Sequence, residues 1–332
     1  MLGYIVRRFM YMLLLLVVLS VVVFTIIQLP PGDYLTSYLT RLRLEGRTQE
    51  DAAVIETLKK QYYLDLPVYM QYLKWVNGML HGNLGKSFYW GRPINALLAE
   101  RLPLTVALSF ATLIFSLALA VPVGVYAATH KNTIFDYAVN VTAFISIGVP
   151  EFLLALLVMF WLNNWFGITV GGIFSPVYRI APWSVARVLD LFKHMIAPMV
   201  IIGLAGTAGT IRVVRANMLD ELAKPYVTTA RSKGLGERRL LVKYPLRIAL
   251  NPVLSTIGWA LPGLFSGATI VSMVLVLPTV GPLQIDALRN QDFFVAGSIV
   301  MIETVLTLIG TLISDILLAV ADPRVRSMGG GL

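Results

Sequence analysis

Three groups of residues in this chain are of types that do chemistry. Gly85-Lys86-Ser87 has the form of the end of a phosphate-binding loop. Such a loop runs G-x-x-x-x-G-K-[ST], because successive backbone N–H groups must cradle phosphate oxygens while the lysine reaches the terminal phosphates. Here Leu80 occupies the first glycine position, and Ser87 is followed by Phe88-Tyr89-Trp90-Gly91-Arg92-Pro93 instead of a helix start. The segment reads as a turn in an aromatic loop. Glu151 and Glu303 form the second group, single carboxylates inside long apolar stretches where an ionised group is expensive. The third is a run of nine basic residues between Arg212 and Arg247. The histidines, His81, His130 and His194, are scattered without metal-ligand spacing, and there is no cysteine for a disulfide or a thiolate site. No catalytic, cofactor or metal cluster is legible, so the chain is not expected to be an enzyme.

The elements that must position these residues follow from hydropathy. Of 332 residues 57% are hydrophobic and 14% charged, with a mean hydropathy of +0.75, which excludes an ordinary soluble protein. Charge-free runs cover Phe9 to Leu29, Leu102 to Ala128, Met195 to Ile211 and Ile248 to Ile285; Tyr137 to Leu162 holds only Glu151, and Phe293 to Ser314 only Glu303. A helix crosses a roughly 30 Å hydrocarbon core with about 20 residues. Lipid leaves backbone polar groups no partner outside their own segment, which favours helices throughout. The expectation is an all-α polytopic membrane protein with six transmembrane helices, the first a retained anchor.

Basic residues set the orientation. With the N-terminus inside, the inner segments hold fourteen Lys and Arg and the short outer loops four, Arg179, Arg187, Lys193 and Arg289. Both termini are expected to be cytoplasmic, and the net charge of +9 then needs no nucleic-acid partner. The expected organisation is a first span within 1–29, a large extracytoplasmic loop at 30–101, a five-helix domain at 102–322 and a cytoplasmic tail at 323–332. Within the loop, Ala52 to Tyr62 reads as helical, and Val68 to Leu80 puts Tyr72, Trp75, Val76 and Met79 at helical spacing. Trp161, Trp165, Phe166 and Trp183 suit an interfacial aromatic belt.

Residues 212–250 form the expected inner loop. Pro225 suits the first turn of a helix and Gly234 the left-handed position past its end, which delimits a short rod at 225–233. Tyr226, Val227 and Ala230 share one arc, flanked by Arg231 and Lys233, with Thr228, Thr229 and Ser232 opposite. A stretch this short and small-sided, bracketed by Pro and Gly, suits a protein groove better than a headgroup surface.

At these residues the sequence resembles the permease subunits of binding-protein-dependent ABC importers, of the dipeptide and oligopeptide permease B type. That branch carries Y-V-x-T-A-R-x-K-G-L in its cytoplasmic loop, and Tyr226-Val227-Thr228-Thr229-Ala230-Arg231-Ser232-Lys233-Gly234-Leu235 matches each fixed position. Against the broader motif E-A-A-x-x-x-G-x(9)-I-x-L-P the chain departs, with Thr228-Thr229-Ala230 for Glu-Ala-Ala and Arg247 at the final proline. Arg7-Arg8, Pro31-Gly32-Asp33, Gln71 to Trp75, Gly82 to Ser87, Arg101 to Thr105, Asp315 to Leu317 and Asp322 to Arg326 extend the similarity over nearly the whole chain.

The resemblance implies a type I importer permease fold, paired with a sister permease in a heterodimer, two ATP-binding ATPases and an extracytoplasmic solute-binding protein in a bacterial or archaeal cytoplasmic membrane. It also implies that 225–233 is the coupling helix, with Tyr226, Val227, Thr229, Ala230, Arg231, Lys233, Gly234 and Leu235 as ATPase-coupling residues and Tyr226, Val227 and Ala230 as the docking arc. The solute implied is a di- or oligopeptide, the alternatives being a nickel chelate, an opine or an oligosaccharide; a secondary transporter would need an internal repeat, and none is found between the halves. Glu151, just after Pro150, and Glu303 are candidates to line the solute path, where a carboxylate would favour cationic or amino groups; the competing reading is a paired or protonated carboxyl at a helix break. Asp315 and Asp322 are expected to pair with Arg324 and Arg326.

Overall fold

The computed structural model describes residues 2–28, 65–167 and 171–321. The expected helix at Ala52 to Tyr62, the Pro31-Gly32-Asp33 stretch and the segment from Asp322 onward lie outside the described residues. The described residues are almost wholly helical: α1 (Leu2–Gln28), α2 (Val68–Leu80), α3 (Ile94–Thr129), α4 (Ile134–Gly148), α5 (Glu151–Phe166), α6 (Val185–Leu222), α7 (Pro225–Ser232), α8 (Glu237–Lys243), α9 (Pro245–Ala249), α10 (Asn251–Val274), α11 (Val280–Arg289) and α12 (Phe293–Ala321).

Among them α1, α3 and α12 are each long and apolar enough to cross a bilayer, and two bent pairs qualify if each is one crossing: α4 with α5, and the two halves of α6, Val185–Leu204 and Gly206–Leu222. The helices overrun the apolar runs that announced them. α3 starts at Ile94, ahead of Leu102, because Arg101 sits half-buried at its side and does not end the backbone pattern. The run through Glu151 is two helices, since Pro150 cannot continue α4 and caps α5 instead. The run from Ile248 to Ile285 takes in the end of α9, all of α10, a turn and the first part of α11. Val276 there holds a positive φ of 52°, so an apolar stretch reverses direction without any polar signal.

Buried clusters lie at both ends of α3, with a third, Leu108, Ala155, Ile201 and Val271, joining α3, α5, α6 and α10 between them. At one, Ile94, Leu97 and Leu98 of α3 meet Val280, Leu283 and Ala287 of α11 and Val295, Ala296 and Ile299 of α12, while Val23 and Phe24 of α1 meet Trp75 of α2. At the other, Ala128 of α3 meets Met218 of α6 and Ala249 of α9. α3 and α6 form the most extensive helix pair, and α10 with α12 the next. Outer faces such as Met10, Leu14 and Val17 of α1 remain open, as lipid contact requires.

Small residues permit the α3–α6 approach, as they do between membrane helices generally. A Cβ on Gly124 would lie 2.9 Å from the Val214 Cβ and 3.0 Å from the Ile211 carbonyl oxygen. Backbone cannot yield as a side-chain tip can, so Gly124→Ala is expected to cost about 1–3 kcal/mol. A lowered melting temperature of the purified protein checks this, and an unchanged one refutes it.

Candidate functional site

The Gly-Lys-Ser segment is a latch. Lys86 bridges to Pro93, Ser87 N–H donates to Arg92 O at 2.9 Å and Ile94 N–H to Gly85 O at 3.0 Å, closing the loop on itself. Ser87 Oγ donates to Asp292 Oδ2 at 2.5 Å, Tyr89 N–H donates to the same oxygen at 3.0 Å, and Trp90 N–H donates to Ser87 Oγ at 2.9 Å. Asp292 is fully buried and also accepts from Val295 N–H at 3.3 Å. The residues that mimic a phosphate loop thus hold a carboxylate that starts α12.

The rod at 225–232 begins with Pro225, as its residue types require, and Gly234 follows at φ 75°. The apolar arc expected to dock packs on the subunit's own loop. Val227 is fully buried and Ala230 nearly so, both packed on Leu240 of α8 with Leu222, Tyr226, Leu235, Leu241 and Tyr244 around them. The apolar arc is consumed by the subunit's own loop, because α8 presents a matching apolar side that the rod must cover. The outward face is Thr228, Thr229, Arg231, Ser232 and Lys233.

Glu221, buried at the end of α6, ties the rod to that helix. It accepts from Lys224 Nζ at 2.5 Å and from the Tyr226 hydroxyl. Burial, together with that acceptor, pushes the Tyr226 phenol well above its ordinary value, so it remains a donor. Outside, Arg231 Nη2 meets Glu237 Oε1 at 2.5 Å with both side chains exposed. The hydrogen bond from Arg231 holds the Glu237 carboxyl below its usual range. A second ion pair fixes the same end: Arg215 Nε and Nη2 of α6 donate to Asp136 of α4 at 2.5 and 2.7 Å. Asp315 pairs with Arg8 of α1, 3.2 Å away; its expected partners Arg324 and Arg326 lie outside the described residues.

Glu151 begins α5 and faces a cavity of about 250 Å³ between α3, α6 and α10. Thr112, Ser116, Thr210 and Thr256 supply its hydroxyls, and Gly203 and Gly206 its small wall. Glu303 is not part of that lining. Its Oε1 is buried on α12 with no hydrogen-bond partner among the described residues, and the structure does not bring the two carboxylates together. The sequence reading missed the hydroxyls. Thr105, Ser109, Thr112 and Ser116 recur at i, i+4, i+7 and i+11 in a charge-free run, and that polar stripe was the available signal. Thr112 also borders a second, one-water-sized slot of about 10 Å³ with Thr105, Ser109, Ser272 and Thr279.

Comparison with known proteins bears on this geometry. Residues 120–327 match the family described as "Binding-protein-dependent transport system inner membrane component", and residues 1–109 that described as "Binding-prot-dependent transport system membrane comp, N-term". The chain is 33% identical over 328 residues to the oligopeptide transport system permease protein AppB of Bacillus subtilis (strain 168), covering 98% of this chain and 99% of that one. It is 31% identical to the oligopeptide permease OppB of Escherichia coli (strain K12), over 98% and 100%. A chain of the MetNI methionine ABC transporter, solved in inward-facing conformations, shares the fold, with a TM-score of 0.53 at 16% identity over 68% of this chain and 96% of that one. By the match over most of its length and by these identities, the chain belongs to the inner-membrane components of binding-protein-dependent transport systems.

Proposed function

We propose that this permease moves di- or oligopeptides inward, as one of two sister permeases driven by two ATPases and fed by an extracytoplasmic solute-binding protein. The names of the relatives, oligopeptide and dipeptide permeases, support the solute class. The observation that carries the mechanism is the rod α7: its apolar side is committed to its own subunit, and its free side is polar and basic. A rigid knob of that kind, braced to α6 through Glu221 and joined to α10 through α8 and α9, turns movement of a docked ATPase into movement of two long helices. In this reading Tyr226, Val227, Ala230 and Leu235 give the knob its shape. Thr229, Arg231, Lys233 and the turn at Gly234 meet the ATPase.

The arrangement proposed is a type I importer subunit with six crossings, made by α1, α3, α4 with α5, α6, α10 and α12. Both termini are cytoplasmic, and 30–101 forms the external loop in a bacterial or archaeal inner membrane. Glu151 and Glu303 are the carboxylates offered to the solute path. Single cysteines at Thr229 and Lys233 test the assignment. Cross-linking to a co-expressed ATPase, with labelling only from the cytoplasmic side, is the expected result; labelling from outside, or an absence of cross-links in an assembled complex, refutes it. Substitution of the solute class by a chelate, an opine or an oligosaccharide would show in what the cognate binding protein retains.

A further inference from the structure

We infer that the Glu151 cavity is a subsite for a primary ammonium, the N-terminus of the transported solute. The inference rests on the peptide reading above and adds which end of the solute is read, and by which atoms. Among the described residues no Lys, Arg or His lines the cavity, and no hydrogen bond or ion pair engages the Glu151 carboxylate. The locally paired carboxyl that its place beside a helix break suggests is therefore not what the packing delivers. A carboxylate among apolar helices without a counter-charge is neutralised by a proton or by a mobile cation, and the acceptors around this one favour the cation.

Two of the hydroxyls around it are set to accept. Thr210 Oγ1 spends its proton on Gly206 O at 3.0 Å, and Thr256 Oγ1 spends its own on Val253 O at 2.9 Å, so each turns only lone pairs outward. Thr112 Oγ1, with its residue about 1% exposed, has no hydrogen-bond partner among the described residues, so its lone pairs are free as well. Acceptors converging from α3, α5, α6 and α10 on a compact space suit a tetrahedral ammonium with three donors. A guanidinium would want a planar, two-pronged partner instead. The one cation that every peptide carries, whatever its sequence, is its terminal amine. A volume near 250 Å³ falls below the usual 300–1,000 Å³ of ligand sites, so it admits the first residue and leaves the rest of the chain unread. Recognition of the end alone lets one path serve many sequences.

The test uses the assembled importer, both permeases with both ATPases, in lipid nanodiscs without binding protein. Three probes are titrated: alanyl-alanine, N-acetyl-alanyl-alanine and N-acetyl-lysine amide, whose only ammonium is on the side chain. Alanyl-alanine is expected to bind at least about tenfold more tightly than its N-acetyl form. That ratio should collapse in Glu151→Gln, persist in part in Glu151→Asp and shrink in Thr256→Val. Equal affinity for the free and acetylated dipeptides in the wild type overturns the inference without recourse to any variant. Failure of the wild type to bind alanyl-alanine at millimolar concentration also overturns it, and so does a ratio unchanged in Glu151→Gln. Equal binding of N-acetyl-lysine amide and alanyl-alanine removes the assignment to the N-terminus. ATP-driven peptide uptake by the same wild-type complex, with binding protein restored, separates the two readings: uptake without amine discrimination sinks the subsite alone, whereas no uptake sinks the peptide importer.

Discussion

Reversing both charges on the outer side of α7, Arg231→Glu with Lys233→Glu, is expected to reduce ATP-driven uptake by at least about thirtyfold while the subunit inserts and melts as before. The magnitude follows from like charges forced into a protein–protein contact, which costs several kcal/mol. The stability should hold because both residues are exposed, and the one ion pair lost, Arg231 with Glu237, is a surface pair of little net worth. Val227→Asp makes the contrast. Val227 is fully buried against Leu240, so an aspartate there strands a charge inside the loop and lowers the melting temperature before any partner is involved. Uptake in proteoliposomes and thermal melting of the same preparations separate the two effects. Normal uptake by the doubly reversed variant, with ATPase still bound, would remove the docking assignment of this face.

Arg215→Met is expected to cause the largest loss of stability. Asp136 keeps only 3% of its side-chain surface and is bound bidentately by Arg215. Removing the cation leaves a buried charge with only Asn132 N–H and Asn140 Nδ2 as donors, both at 3.0 Å. Breaking one side of such a pair costs roughly 3–5 kcal/mol, a fall on the order of 10 °C in melting temperature. Adding Asp136→Asn should restore much of it, since the uncompensated charge disappears. A double variant no better than Arg215→Met would show that the pair acts through packing and not through charge.

Much of this protein is legible in its residues. Continuous apolar runs long enough to span point to helices, because a lone segment satisfies its peptide groups in lipid only as a helix and a closed barrel would show alternating strands instead. Pro225 and Gly234 bound the rod through their own backbone restrictions, and the Tyr226 to Leu235 pattern points to the family. These are properties of adjacent residues. What covers a face is not. The helical wheel gives α7 an apolar arc, but only the packing of Leu240 decides that this arc turns inward and that the threonines and basic residues face out. Ser87 finds Asp292 across 205 residues, and Asp136 finds Arg215 across 79. Asp315 takes Arg8 from the opposite end of the chain. Glu151 and Glu303 look alike in composition. Only the assembly of α3, α5, α6 and α10 gives the first a cavity of hydroxyls and leaves the second half-buried on α12 with one oxygen enclosed. Local chemistry fixes which backbone forms a segment can take, whereas the partner of a buried charge or an apolar face is settled by which distant segments can close around it at low desolvation cost.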